Sequence, residues 1–195
     1  MTRSFILATA NLDKVKEIRE VLASTDIELL DRPDDVPDVD ETERTLEGNA
    51  LLKARALVEA TGLAAIADDT GLFVKALDGQ PGVFSARYSG ENATYASNVT
   101  KLLEAMRNVD ATSRDAYFRT VIVVVYADGT SFCVDGVLNG SIATKAEGNN
   151  GFGYDPVFQP SESDGRTLAQ MTTSEKNEVS HRSRALHSLL EKLAQ

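Results

Sequence analysis

Apolar positions along this chain follow two rhythms: short runs of β-favouring residues, and recurrences every three or four positions. FILAT near the start predicts a short strand, and Val15, Ile18, Val21 and Leu22 then recur at helical spacing with charges between them. Asn11 or Asp13 can cap that helix, so strand, polar turn and helix follow in order. Such a turn aims helix N–H groups at whatever lies above the strand. Residues 31–45, DRPDDVPDVDETERT, are acidic, contain two prolines and predict an irregular loop. LEGNALLKARALVEA reads as a helix with Leu51, Ala54 and Val58 on one face. LAAIADDTGLFVKAL reads as an apolar strand that breaks at DDTG and resumes. DGQPGVFSARYSG is turn-rich, and a helix marked by Tyr95, Val99, Leu102, Leu103 and Met106 follows. The strongest β signal is YFRTVIVVVYADGTSFCVDGVLNGSIAT. There Asp128-Gly129 predicts a hairpin turn and Asn139-Gly140 offers a second. A glycine-rich stretch, GNNGFGYDPVFQP, comes next, and a helix with Leu186, Leu189, Leu190 and Leu193 on one stripe closes the chain. Interleaved helices and strands with an antiparallel portion indicate a mixed α/β fold.

A length of 195 residues is most simply one domain, 1–195, and also admits two lobes around a cleft. Thirty Asp and Glu against twenty Lys and Arg give a net charge of −10. That balance argues against nucleic-acid and anionic-membrane partners, which need a basic footprint. It does not argue against a small anionic ligand held by a few converging lysines, or against a divalent metal. The single cysteine, Cys133, lies in the apolar run SFCV and reads as a buried structural thiol. Neither a signal peptide nor a membrane-length apolar run is apparent, which suggests a cytoplasmic protein.

Several groups carry candidate chemistry. TANLDK, Thr9 to Lys14, joins a hydroxyl, an amide, a helix start and a lysine in one turn, which suits a phosphate; it lacks the glycines of a Walker A loop. A plain helix cap explains the same residues. ADDTG brings Asp68, Asp69 and Thr70 together, and adjacent carboxylates on a strand project in different directions, so one of them faces a given site. With a carboxylate from the acidic loop they would suit Mg²⁺; an Asx turn is the plainer account. Lys53, Arg87, Lys176, His181 and Arg182 form the basic set, each alone as readily a solvated side chain. Only two histidines exist, which disfavours a His-rich zinc site. Phe152, Tyr154 and Asp155 lie among glycines whose spacing is not that of a dinucleotide-binding fingerprint.

Taken together, these segments resemble the inosine triphosphate pyrophosphatase family, which hydrolyses non-standard purine nucleoside triphosphates. TANLDKVKEI resembles the family's opening Thr-Gly-Asn-x-x-Lys turn, and EGNALLKA its Asn-Ala-x-x-Lys-Ala helix. ADDTGLFVKALDGQPGVFSARYSG, GFGYDPVF and EKNEVSHRSRAL resemble three further blocks in the same order. The resemblance implies a mixed twisted β-sheet flanked by helices, with two lobes around a central nucleotide-binding cleft. It implies Mg²⁺-dependent cleavage between the α- and β-phosphates of ITP, dITP or XTP, and a homodimer. Thr9, Ala10, Asn11, Leu12, Asp13, Lys14, Lys53 and Thr70 would hold the triphosphate. Asp69 would be the catalytic carboxylate and, with Glu41, a metal ligand; Asp38 and Asp40 contend for Glu41's place. Phe152 would stack on the purine beside Gly153, Tyr154 and Asp155, with Lys176, His181 and Arg182 facing base or phosphates. Hypoxanthine and xanthine carry an acceptor oxygen at position 6, so a pocket of donors would reject adenine. Guanine shares that oxygen, and its exclusion needs another feature. Arg87 belongs to this region or pairs structurally. Ala10, Gly48, Thr70 and Gln170 depart from the family pattern without removing a proposed catalytic group. Two other readings are a pyrophosphatase for modified pyrimidine triphosphates and a catalytically idle nucleotide sensor.

Overall fold

The computed structural model describes residues 3–195. Seven strands form one mixed sheet in the order β2-β1-β3-β5-β6-β7, with the short β4 paired to β3. They are β1 (Arg3–Leu7), β2 (Ile27–Leu30), β3 (Ala65–Val74), β4 (Pro81–Gly82), β5 (Asp115–Val125), β6 (Ser131–Ile142) and β7 (Phe158–Pro160). β1 runs parallel to β2 and β3, whereas β4 and β7 pair antiparallel to β3 and β6. Among the described residues five α-helices accompany them: α1 (Leu12–Leu22), α2 (Leu46–Thr61), α3 (Tyr95–Ala105), α4 (Thr173–Val179) and α5 (His181–Leu193). The α/β class and mixed sheet expected from the patterning are therefore observed. No helix among the described residues is long and apolar enough to cross a membrane.

The helix starts follow from local chemistry. Asn11 accepts from the amides of Asp13 (3.0 Å) and Lys14 (3.2 Å) and so caps α1. Thr45 caps α2 by accepting from Gly48 N (3.0 Å), and Thr94 and Thr172 form capping boxes with Ser97 and Glu175. The buried face of α2 is Leu46, Asn49, Ala50, Ala54 and Leu57; Leu51 and Val58 are only half-buried. Residues 31–45 contain no helix or strand, as their prolines and charges predict.

The described chain divides into two compact units, one of residues 3–69, 120–136 and 182–195 and the other of residues 70–119 and 137–181. The first packs Phe5, Leu7, Ile18, Leu22, Ile66, Ile122, Val124, Leu186 and Leu189 into one core. The second has its own core, including Leu72, Leu102, Met106, Phe118, Leu138, Phe158 and Leu168. Each such side chain, fully buried, contributes about 1.5–3 kcal/mol.

Three expectations are corrected. β3 does not break at DDTG but runs unbroken through Asp68, Asp69 and Thr70, because cationic side chains distant in sequence pair with both carboxylates, Lys14 and Arg182 with Asp68 and Lys53 with Asp69. Asn139-Gly140 is no turn: β6 continues to Ile142, and Gly140 pairs with Pro160. A Cβ on Gly140 would overlap Gln159 O and the Phe158 ring, so glycine serves close strand approach there. Cys133 is exposed rather than buried, since alternation along β6 turns Phe132 and Val134 to the core and Cys133 outward. The Asp128-Gly129 hairpin between β5 and β6 forms as predicted. β2 and the short α4 were not foreseen.

Candidate active site

In the first unit, β3 delivers two adjacent carboxylates to opposite sides. Asp68 is fully buried, and its Oδ2 accepts from Lys14 Nζ of α1 (3.1 Å) and from Nη2 (3.2 Å) and Nε (3.3 Å) of Arg182 at the start of α5. Arg182 also pairs with Glu17 of α1. Asp68 Oδ1 is buried with no hydrogen-bond partner among the described residues. Burial alone would raise the Asp68 pKa, but Lys14 and Arg182 outweigh it and hold the carboxyl well below its usual range. Burial pulls the Lys14 pKa down, opposed by Asp68 and helped by Lys53 and Arg182. Burial also works against Arg182, yet Asp68 and Glu17 raise its pKa overall.

Asp69 faces α2. Its Oδ1 lies 3.5 Å from Lys53 Nζ, and its Oδ2 accepts from Asn49 Nδ2 at 3.4 Å. Lys53 Nζ also donates to Glu41 Oε1 (2.9 Å) and to the main-chain oxygen of Asp68 (2.8 Å). One ammonium with three N–H donors thus meets three protein oxygens. Burial raises the Asp69 pKa, only partly offset by Lys53 and Lys14. Burial disfavours the Lys53 charge, but Asp69, Asp68 and Glu41 raise its pKa on balance. Of the acidic-loop residues, Glu41 is the one brought to this cluster; Asp38 pairs with Arg32, and Asp40 is exposed. The turn before α1 carries Thr9, whose Oγ1 accepts from Asn11 N (3.2 Å), and exposed Ala10; Leu12 and Asp13, also exposed, open α1.

The second unit gathers the glycine-rich segment. Asp155 is buried, and its Oδ2 accepts from Phe152 N (2.8 Å) and from Lys176 Nζ of α4. The Lys176 ammonium lies 4.7 Å from the Phe152 ring centroid, and the Tyr95 ring centroid is 5.7 Å from it, the two rings tilted by 41°. Gly151 has φ +70°, and a Cβ there would overlap Asp155 Oδ2. Glycine therefore lets the segment close on its own carboxylate and present the half-buried Phe152 ring. Gly153 lies within the same turn. Tyr154 is buried in the core and donates its hydroxyl to Ser85 O (2.9 Å), with burial raising its pKa. His181 is buried and stacked on Phe118 at 4.5 Å. Thr70 is half-buried on β3, and the Arg87 guanidinium lies 5.2 Å from the Phe84 ring centroid.

Lys14, Lys53, Glu41 and Asp69 are thus brought into one cluster with Arg182, while Phe152, Asp155 and Lys176 form another. Sequence reasoning missed Asn49 and Glu17. Asn49 lies four residues before Lys53, and Glu17 three after Lys14, spacings that put each pair on one helix face.

Residues 5–192 match the model of the Ham1 family. The chain belongs to the Ham1 family. A dITP/XTP pyrophosphatase of Streptomyces avermitilis is 45% identical over 194 residues, covering 97% of this chain and 96% of the relative. A dITP/XTP pyrophosphatase of Thermoanaerobacter sp. is 47% identical over 186 residues, covering 94% and 93%. Among solved structures, a HAM1 protein from Coxiella burnetii superposes with a TM-score of 0.89 at 41% identity, covering 98% of both chains. A nucleoside-triphosphatase described as a dITP/XTP pyrophosphatase from Mycobacterium abscessus gives 0.77 at 43% identity, covering 96% of this chain and 98% of its own. The resemblance stated from the motifs is borne out along nearly the whole chain, and so is the α/β sheet that it implied.

Proposed function

We propose that this Ham1-family chain is a nucleoside-triphosphate pyrophosphatase that hydrolyses non-standard purine nucleoside triphosphates, ITP, dITP and XTP. The products are the nucleoside monophosphate and pyrophosphate. The observation that carries this reading is the cluster of Lys14, Lys53 and Arg182 with Glu17, Glu41, Asp68 and Asp69. Gathering so many ions away from water is costly for a fold that needs them only for stability. Its dITP/XTP pyrophosphatase relatives support the same assignment.

A divalent metal suits this donor set, because Glu41 and Asp69 already reach one and the same cation, the Lys53 ammonium. Hard carboxylate oxygens favour Mg²⁺, with Glu41 rather than Asp38 or Asp40 as the loop ligand. When bound, such an ion would polarise a phosphoryl oxygen and offset the charge that develops there. Asp69 takes the proton from the water that attacks the α-phosphorus. The new O–P bond forms as the bridging oxygen to the β-phosphate departs, releasing pyrophosphate. Lys14, Lys53, Thr70 and the Thr9–Asp13 turn hold the phosphates. Phe152 stacks on the base and Asp155 steadies Lys176, with Lys176, His181 and Arg182 facing base or phosphates. The 1–195 chain acts as one catalytic domain in the cytoplasm, as a homodimer, without nucleic-acid or membrane partners.

A substrate panel tests the assignment. Turnover of ITP, dITP and XTP at kcat/KM well above ATP, GTP and dUTP is the expected result. Preference for pyrimidine triphosphates, or ITP binding without turnover in Mg²⁺, would overturn it.

A further inference from the structure

The engagement of Lys53 bears on how a metal would enter. Its three N–H donors meet Glu41 Oε1 at 2.9 Å, Asp68 O at 2.8 Å and Asp69 Oδ1 at 3.5 Å, and its side chain is only 15% exposed. Two of those acceptors are the carboxylates proposed to bind a divalent ion. In this arrangement Lys53 has no donor left over for a phosphate oxygen. Yet a lysine on a helix four residues from Asn49, with a flexible four-carbon stem, can swing without moving the backbone.

We infer that Lys53 is an exchangeable counter-cation: its ammonium holds Glu41 and Asp69 together in the metal-free protein and yields them to an incoming divalent cation. This rests on the metal reading of the site given above. Two carboxylates brought together in a partly desolvated site repel each other unless a cation lies with them, and Lys53 supplies that charge. A divalent ion carries twice the charge and binds both groups as inner-sphere oxygens, so it displaces the ammonium from Glu41 and Asp69. The freed ammonium then has donors to offer a phosphate. Metal binding and phosphate binding become coupled through one side chain, and an ordered arrival follows, the divalent cation preparing the lysine for the triphosphate.

The mechanism makes Lys53 a competitor of the metal in the absence of nucleotide. Lys53→Met keeps the stem and removes the charge. Calorimetric titration with Mg²⁺ alone should show the variant binding at least about tenfold more tightly than the wild type, a difference of about 1.4 kcal/mol. Equal or weaker Mg²⁺ binding by the variant, or none in either protein, would overturn the proposal. If the variant fails to fold, the wild type decides. Acetylation of Lys53 by an amine-reactive ester, read by mass spectrometry, should rise several-fold when Mg²⁺ is added without nucleotide. Unchanged or reduced labelling would overturn the exchange. Neither readout depends on turnover, so exchange without ITP hydrolysis would sink the substrate assignment and leave the exchange standing.

Discussion

Asp68→Asn removes one charge from the centre of the first unit and changes almost no volume. The lost carboxylate is fully buried and is the acceptor for Lys14 at 3.1 Å and for both Nη2 (3.2 Å) and Nε (3.3 Å) of Arg182. Removing one partner of a buried ion pair typically costs about 3–5 kcal/mol. Two features reduce that here: Glu17 still faces Arg182, and the Lys14 side chain retains 15% exposure, so water can solvate its ammonium. The expected loss is about 2–4 kcal/mol. For a chain of this size it corresponds to a fall in Tm of roughly 4–16 °C, at about 2–4 °C per kcal/mol. Urea denaturation and calorimetry of the two proteins measure it. The sign of the pH dependence gives a second check. The folded-state pKa of Asp68 is depressed, so its stabilisation is complete above the unfolded carboxylate value of about 4 and fades as pH falls below it. The gap between wild type and variant should therefore narrow on acidification below about pH 4. A loss under about 1 kcal/mol at pH 7, or a gap that widens in acid, would refute the view that Asp68 holds this cluster together.

Other expectations follow from the same geometry. Phe152→Ala removes the ring proposed to stack on the base and should raise KM for ITP by roughly 5- to 150-fold, at about 1–3 kcal/mol per stacked base, with little change in Tm. Tyr154→Phe deletes the buried hydrogen bond to Ser85 O and should cost about 0.5–1.5 kcal/mol in denaturant unfolding, because that carbonyl keeps a second donor, Asn98 Nδ2 at 3.3 Å. Gly151→Ala forces a Cβ onto Asp155 at a positive φ and should lower stability by about 1–3 kcal/mol and weaken ITP binding together.

Much of the fold was legible because its signals are local. The cap at Asn11, the hairpin at Asp128-Gly129 and the stripe of α5 each depend on residues within one or two turns of each other. The errors arose where long-range partners decide. DDTG looks like a turn because two carboxylates in a strand need counter-ions, and Arg182, which supplies one, lies 114 residues away. Gly140 looks like a hairpin residue because the ring and carbonyl it must clear belong to β7. Cys133 was misread because the apolar run hid an alternation set by the core of the first unit. At the candidate site, motif order singled out Asp69, Lys53 and Phe152, but not that Lys53 is already engaged or that the Tyr154 hydroxyl is taken by Ser85. Those are facts of packing, absent from spacing alone.

The most direct measurement is pyrophosphate release from ITP by the wild type and by Asp69→Asn, with Mg²⁺ and with chelator. Mg²⁺-dependent pyrophosphate and inosine monophosphate are expected from the wild type. The variant, whose fold should be intact, should lose about 10²–10⁴-fold in rate. Release of orthophosphate instead, or an Asp69→Asn enzyme that keeps its rate, would contradict the proposed function.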